Sequence, residues 1–166
     1  VLDFYRSGGG LFIVFGSRAD PGFWNGSVLR EIGAGVLGET RAAAAGAAWR
    51  LKRATAGHPV LAGFPARPGE PLSTAQFQSI RDFSAGSGAR TLIEFDRAHP
   101  ALIETPHALI FTASLDAGDS DFPLSGAYLP LVHQAVKVLG RGTAASSLAP
   151  GDRYSAPAAT GTWRIL

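Results

Sequence analysis

Gly8-Gly9-Gly10-Leu11-Phe12-Ile13-Val14-Phe15-Gly16 is the stretch that decides the fold. A short run of aliphatic and aromatic residues between glycines is typical of a β-strand that is buried on both faces. Residues 1–7 have the pattern of a helix end, and glycine directly after a helix adopts the left-handed conformation without a Cβ penalty. A loop over 16–22 follows. Helix, glycine turn, buried strand and loop together predict half of a βαβ unit in a parallel sheet.

The rest of the chain predicts a mixture of helices and antiparallel strands. Apolar residues at intervals of four indicate helix, strict alternation indicates a half-buried strand, and proline-rich or glycine-rich stretches indicate loops. The predicted elements are a helix over 23–32 that the glycines at 33, 35 and 38 interrupt, a half-buried strand over 75–83, a strand over 90–95, a hairpin of 100–104 with 107–113, and a helix that Ser125 caps and that ends at Leu139.

Composition bounds the classes of function. The 166 residues amount to about one domain. The absence of Cys excludes a thiol nucleophile, a disulfide framework and any Cys-ligated metal. The net charge is +2, and the arginines are scattered apart from a short cluster at 50–53, so the chain lacks the basic stripe of a nucleic-acid surface and no nucleic-acid partner is predicted. No apolar run approaches the roughly 20 residues that span a bilayer.

The composition shifts near the carboxyl terminus. Residues 142–161 are rich in Ala, Ser, Gly, Pro and Thr and predict a linker. We therefore expect an α/β domain over 1–141 and the first strand of a following β-rich domain at 162–166. Residue 1 already lies within a helical pattern, so we interpret both ends as cuts inside a longer protein.

Three pieces of the sequence, in their order and spacing, resemble one family. They are residues 8–16, then His58-Pro59-Val60, then Ala113-Ser114-Leu115-Asp116 with Ser120-Asp121-Phe122-Pro123-Leu124 and Tyr128-Leu129-Pro130-Leu131. Residues 1 to 142 resemble the glutamine-amidotransferase-like domain of the membrane-anchored aerotolerance regulators of the Bat type. Where that family commonly has Trp and Phe, this chain has Asp119 and Tyr128.

The resemblance implies a fold and a cellular setting. It implies an α/β fold with a flavodoxin-like, class I glutamine-amidotransferase-like parallel sheet that is incomplete, because the first strands are missing, and that carries a β-rich antiparallel insertion. It implies a membrane anchor, and often a von Willebrand factor A-like domain, upstream of residue 1. Membrane association would then come from segments outside this chain, with this domain soluble and extracytoplasmic.

The resemblance also directs attention to the turn after the first strand. Class I glutamine amidotransferases place their nucleophilic Cys at such a turn, near backbone N–H groups that hold an oxyanion. In this chain Gly16 or Ser17 occupies that position, so these residues cannot carry glutaminase chemistry and no catalytic residue is predicted. A hydrolase with Ser17 as nucleophile is the alternative, and it would need a neighbouring His and a carboxylate.

Two further groups of residues could hold a metal ion. Asp116, Asp119 and Asp121 offer oxygen ligands suited to Ca²⁺ or Mg²⁺, but their spacing is not that of an EF-hand, and turn or cap roles are favoured. His58 and His99 each precede a Pro without metal-ligand spacing, and we expect each imidazole to bond a nearby carbonyl. No metal and no cofactor are predicted.

These observations favour a non-catalytic module that binds a partner protein or a small ligand. Open α/β sheets bind ligands at the carboxyl ends of their strands, so the candidate crevice comprises Gly16, Ser17 and Arg18 with Asp116. A structural spacer is a third possibility. A cavity of about 300 Å³ or more at the strand ends would favour a ligand site over a spacer. A His within about 3.2 Å of the Ser17 hydroxyl would favour the enzyme. The sequence predicts no particular oligomeric state.

Overall fold

The computed structural model describes residues 1–53, 55–64 and 71–140. The predicted linker at 142–161 and the predicted strand at 162–166 lie outside these residues. The helices are α1 (Leu2–Arg6), α2 (Pro21–Gly26), α3 (Val28–Glu31), α4 (Pro71–Thr74) and α5 (Tyr128–Gly140), with 3₁₀ turns at Pro59–Leu61, Asp96–Ala98 and Phe122–Leu124. The strands are β1 (Leu11–Val14), β2 (Gly35–Ala42), β3 (Trp49–Arg53), β4 (Gln76–Phe77), β5 (Ser79–Ala85), β6 (Arg90–Phe95), β7 (Pro100–Thr105) and β8 (Ala108–Phe111).

The strands form a six-stranded mixed sheet and a separate two-stranded ribbon. The order in the large sheet is β1-β8-β7-β6-β3-β4, and β2 pairs with β5 in the ribbon. Only β1 and β8 are parallel among the described pairs; the others are antiparallel. The prediction of an α/β fold is therefore confirmed at the level of class, and so are the strand over 90–95 and the hairpin that follows it.

Strand β8 lies inside the sheet and is buried on both faces. Leu109 and Phe111 pack in one hydrophobic cluster, to which Leu131 and Ala135 of α5 belong. Ala108 and Ile110 pack in a second cluster with residues of α3 and of the β2–β5 ribbon. Because successive side chains point to opposite faces, a strand covered on both sides has a continuous apolar sequence.

Strand β1 confirms the prediction of a strand after the glycine run. Gly8 has φ +87° and its N–H donates to the carbonyl of Tyr5, while the Gly9 N–H donates to the carbonyl of Phe4, which is the Schellman arrangement that ends α1. Gly10 passes the end of α5 so closely that a Cβ there would lie 2.7 Å from the carbonyl oxygen of Leu139. The glycine run therefore ends the helix and lets β1 enter the sheet beside α5.

The alternating segment at 75–83 forms two strands rather than the single strand predicted. β4 pairs with β3 in the large sheet, whereas β5 pairs with β2 in the ribbon. The change of sheet occurs at Gln78, whose N–H donates to the carbonyl of Asp119 instead of to a strand neighbour. An alternating pattern indicates which face of a strand is buried, but it does not indicate which other strand it pairs with.

The helix predicted over 23–32 is divided into α2 and α3. The break falls at Ser27, which has a non-helical backbone (φ −118°, ψ −87°). Strand β2, which follows, was not predicted because its glycines look like interruptions. Gly35 has φ +130°, and a Cβ at this position would collide with the carbonyl of Ser84, so glycine is what permits β2 to approach β5.

The closing helix is confirmed, although it begins later than predicted. Ser125 ends the 3₁₀ turn Phe122–Leu124, and its hydroxyl accepts a hydrogen bond from the Ala127 N–H at 3.3 Å. α5 then runs from Tyr128 to Gly140 and includes Pro130 in its first turn. Proline is tolerated there because the first helical N–H groups have no partner within the helix.

Candidate ligand-binding crevice

The carboxyl ends of β1 and β8 lie side by side because the two strands are parallel. The loops that leave them, at 16–19 and 114–119, diverge and border a cavity of about 540 Å³. Gly16, Ser17, Arg18 and Asp116, the four residues that the sequence placed in a crevice, all line this cavity. Its volume lies within the range of small-molecule sites, which favours a ligand site over a spacer.

The β1 side of the crevice is a tight turn. The Phe15 N–H continues the pairing with β8 by donating to the carbonyl of Phe111. The Ala19 N–H closes the turn by donating to the carbonyl of Gly16 at 3.1 Å. A Cβ at Gly16 would meet only the Ser114 hydroxyl, at 3.9 Å. The turn itself therefore does not require glycine, and the missing side chain leaves the cavity open.

The β8 side is a loop that its own hydrogen bonds hold in place. The Ser114 hydroxyl accepts from the Asp116 N–H at 3.0 Å, and Asp116 Oδ1 accepts from the Gly118 N–H at 2.8 Å. The Asp119 N–H donates to the carbonyl of Asp116 at 3.0 Å. Asp121 lies beyond the crevice lining, where Oδ1 accepts from the Gln76 N–H at 2.6 Å. The Asp116 side chain thus acts in a turn, as the sequence favoured, whereas the Asp121 side chain bonds the distant backbone of β4 and does not cap the turn Phe122–Leu124.

These aspartates do not converge. Within the described ranges, no group of three or more His, Cys, Asp or Glu side chains is arranged to hold a metal ion. Asp116 and Asp119 nevertheless both line the β8 side of the crevice. The crevice thus combines acidic groups on its β8 side with Arg18 on its β1 side.

Arg81 lies behind the crevice and is not among the residues that the sequence predicts for it. Its side chain is on β5 and the residue is only 4% exposed. Nη1 donates to the Thr40 hydroxyl at 2.8 Å and to the carbonyl of Ser17 at 3.3 Å, and Nη2 donates to the carbonyl of Gly38 at 2.8 Å. The sequence did contain a signal. Arg81 is two residues from Phe83 and therefore lies on the same, apolar face of the strand, where a charged residue is unusual.

The acid next to Arg81 in the sequence is already occupied. Asp82 binds Arg41 through two hydrogen bonds, Nε to Oδ1 at 2.9 Å and Nη2 to Oδ2 at 2.5 Å. These hydrogen bonds hold the pKa of the Asp82 carboxyl below its ordinary value, with a smaller contribution from the charge of Arg41 and from His99, against the opposing effect of partial burial. Asp82 is therefore not a counter-ion for Arg81.

The histidines bond to carboxylates rather than to carbonyls, so that prediction was wrong. His58 caps the 3₁₀ turn at Pro59–Leu61: Nδ1 accepts from the Val60 N–H at 3.2 Å, and Nε2 lies 3.0 Å from Oε1 of Glu104. His99 Nδ1 lies 3.3 Å from Oδ1 of Asp82. In the part of the chain that the structure describes, no histidine hydrogen-bonds the Ser17 hydroxyl.

No family model matches the sequence, and no curated protein does. Solved structures do match it. The cytoplasmic protein STM3548 from Salmonella typhimurium has a TM-score of 0.64 at 18% identity over 82% of this chain and 57% of its own. The cytoplasmic protein STM1381 from Salmonella typhimurium LT2 has a TM-score of 0.60 at 16% identity over 86% of this chain and 57% of its own. At these identities the likeness shows the fold alone, and the chain spans little more than half of either protein.

Among the described residues, no helix is long and apolar enough to cross a membrane.

Proposed function

We propose that this domain is a non-catalytic binding module that takes a small ligand in the crevice between the carboxyl ends of β1 and β8. The observation that carries the proposal is the convergence of Gly16, Ser17, Arg18 and Asp116 on one cavity of about 540 Å³. The lining is rich in hydrogen-bonding groups on two loops that a sheet holds apart, which is the arrangement by which open α/β sheets bind ligands.

The chemistry of Ser17 supports binding over hydrolysis. A serine nucleophile requires a base that removes its proton and a group that orients the base. Two of the four histidines are engaged elsewhere, His58 with Glu104 and His99 with Asp82. His107 packs edge-on against Tyr5 at a centroid distance of 5.9 Å, at the opposite end of the β1–β8 pair from Ser17.

A ligand screen with a cavity-filling variant tests this proposal. Compounds from a metabolite library are added to ¹⁵N-labelled protein, and we expect binders to shift the amide signals of residues 16–19 and 114–119. Gly16→Leu should abolish these shifts because its side chain occupies the cavity. Gly126→Leu is the matched control, since a Cβ at Gly126 has no neighbour within 4 Å and the residue does not line the crevice. Binding that maps elsewhere, or that Gly16→Leu leaves unchanged, would contradict the proposal.

We also propose that the parallel pair belongs to a flavodoxin-like, class I glutamine-amidotransferase-like sheet, with the antiparallel strands as its β-rich insertion. Helices on both faces of the β1–β8 pair support this, as does the edge position of β1. An apolar groove of about 420 Å³ runs along that edge, lined by Val1, Phe23 and residues of β1. A structure of a longer segment of the same polypeptide, with a parallel strand seated against β1, is the expected result; a helix or an antiparallel strand there would contradict it.

The family resemblance further supports attachment to a membrane through segments outside residues 1–166, with this domain on the extracytoplasmic side. The two Salmonella proteins are named cytoplasmic, so sidedness is the point to test. Fusions that carry the protein from its natural start through residue 140, followed by alkaline phosphatase or green fluorescent protein, distinguish the two locations. We expect phosphatase activity without fluorescence, and the reverse result would place the domain in the cytoplasm.

A further inference from the structure

We infer that the β1 side of the crevice seats an anionic group, a phosphate or a carboxylate, and that the buried guanidinium of Arg81 makes this side electropositive. The inference rests on the proposed function, because it names the chemistry of a ligand in the same crevice. It is drawn from a feature that the fold alone does not explain, namely a buried cation without a carboxylate partner.

Arg81 is buried yet has only neutral partners. Its Nη atoms bond two carbonyls and the Thr40 hydroxyl, and its Nε has no hydrogen-bond partner. No described carboxylate lies within ion-pair distance of it. Buried charges are normally paired, because removing an ion from water carries a large free-energy penalty. A cation that the protein does not neutralise, and that solvent screens poorly, projects its field toward the nearest accessible surface.

The turn after β1 is one accessible surface that the guanidinium contacts, and exposed Thr40 is the other. Arg81 Nη1 lies 3.3 Å from the carbonyl oxygen of Ser17, and Ser17 lines the crevice. The described peptide bonds are all trans, so the N–H of Arg18, which belongs to the same planar peptide, points away from the guanidinium that the carbonyl faces. The cation also polarises this peptide and thereby makes its N–H a stronger donor. Arg81 therefore fixes and strengthens a backbone donor on the β1 side of the crevice.

Two side chains add to this donor. The Arg18 side chain is exposed, and no described acid forms an ion pair with it. The Ser17 hydroxyl has no hydrogen-bond partner among the described residues. Phosphate and carboxylate oxygens form their strongest hydrogen bonds with such a set, since a guanidinium offers a planar pair of charged donors and the backbone offers a fixed one.

The opposite side of the crevice sets the orientation of the ligand. Asp116 and Asp119 would repel an anion that approached them and would accept hydrogen bonds from hydroxyl or amine groups. The ligand is therefore a small molecule whose anionic group faces the β1 turn and whose donor groups face the β8 loop. This polarity yields a specific expectation: removing the charge of Asp119 should tighten the binding of a simple anion.

The test uses inorganic phosphate and acetate as separate probes at constant ionic strength, followed by ¹⁵N NMR of the domain. We expect saturable shifts of the Ser17 and Arg18 amides, with the Arg18 signal moving downfield as its N–H acquires an acceptor. The probe that binds more tightly shows whether the anionic group of the ligand is a phosphate or a carboxylate. Arg18→Gln should weaken binding by about tenfold, as expected for the loss of a charge-assisted hydrogen bond. Asp119→Asn should strengthen it. Arg30→Gln removes the same charge from the exposed surface of α3 and should leave the affinity unchanged.

Arg81→Met tests the buried cation directly. We expect the anion-dependent shift of the Arg18 amide to disappear while the remaining spectrum keeps its dispersion; if this variant does not fold, Arg18→Gln and Asp119→Asn decide the matter. The inference is overturned if neither anion shifts the amides of 16–19, if Arg30→Gln weakens binding as much as Arg18→Gln, or if Mg²⁺ shifts the Asp116 and Asp119 amides in place of the anions. A neutral or cationic compound that binds the crevice would overturn this inference and leave the proposed function standing, whereas a crevice that binds nothing would contradict both.

Discussion

Strands β1 and β8 are parallel neighbours with similar sequences and different surroundings. Leu-Phe-Ile-Val and Ala-Leu-Ile-Phe are both continuous apolar runs, paired in register from Leu11 with Ala108 to Val14 with Phe111. β8 has a partner on both edges, and its four side chains are 0% exposed. β1 has a described partner on one edge only, and of its four residues only Ile13 is buried. A continuous apolar sequence thus indicates that a strand is covered on both faces. It does not indicate whether the strand lies inside a sheet or at its edge.

The largest expected difference concerns Phe111 of β8 and Phe12 of β1. Phe111 lies at the centre of an aromatic group, 5.6 Å from Phe122 and 5.9 Å from Phe77 between ring centroids. Phe111→Ala should lower the free energy of unfolding by about 3–5 kcal/mol through lost burial and a new cavity. Phe12→Ala should lower it by about 1–2 kcal/mol, because a ring that is already partly exposed loses less buried area. Urea unfolding measures both, and equal losses would mean that β1 is as enclosed as β8.

The second test breaks the contact between β1 and α5. In Gly10→Ala the new Cβ would lie 2.7 Å from both the Cβ and the carbonyl oxygen of Leu139, so the end of the helix must move. We expect a loss of about 1–3 kcal/mol in the free energy of unfolding. Gly9→Ala is the control, because the three atoms nearest to its Cβ all belong to the ring of Phe4, which is exposed and can rotate away. Equal effects of the two substitutions would show that the helix end is not fixed against β1.

A smaller effect is expected from the strand on the other side of β8. Glu104 of β7 bridges Arg90, with Nη2 at 2.7 Å from Oε2, and the buried His58. Glu104→Gln removes the charge that both groups contact and should lower the free energy of unfolding by about 1–2 kcal/mol. Glu94→Gln, on the neighbouring strand β6, is the matched control. Thermal unfolding at neutral pH compares the two variants, and a Glu104→Gln melting temperature equal to that of the control would contradict the bridge.

The smallest effect belongs to the β2–β5 ribbon, which lies outside the β1–β8 pair. Arg41 lowers the pKa of Asp82 from its ordinary value of 3.8. A lowered carboxyl pKa stabilises the fold above the unfolded-state value, and this stabilisation disappears as the pH falls through the folded-state value. Arg41→Gln should therefore lower the free energy of unfolding only slightly at neutral pH, and by less than the other substitutions, because the pair is solvent-accessible.

Urea titrations between pH 2 and pH 7 measure this dependence. The difference between wild type and Arg41→Gln should shrink below about pH 4. Arg30→Gln should show no such pH dependence. A difference that stays constant to pH 2 would show that Arg41 acts through packing rather than through the charge of Asp82.

The sequence was sufficient where the determinants are local. The glycine run predicted the end of α1 and the start of β1. Gly16, Ser17 and Arg18, which the end of β1 suggested as crevice residues, line a cavity there, and their role in binding stays a prediction. It was insufficient where the determinants are distant in the chain. The ribbon joins Gly35 to Ala85, and no local pattern marks that pairing. Arg81 could not be connected with the crevice from the sequence, because its partners, the carbonyls of Ser17 and Gly38, belong to two other segments of the chain that only folding brings together.

The open edge of β1 bears on how the isolated domain behaves at high concentration. A strand edge without a partner presents N–H and C=O groups to which another chain can add, and natural proteins usually protect such edges with lysine, proline or a bulge. The four residues of β1 contain none of these, and exposed Val1 and Phe23 flank the groove beside it. Preparations of residues 1–166 should therefore self-associate through this edge, and a lysine introduced at Phe12 should keep them monodisperse in light scattering.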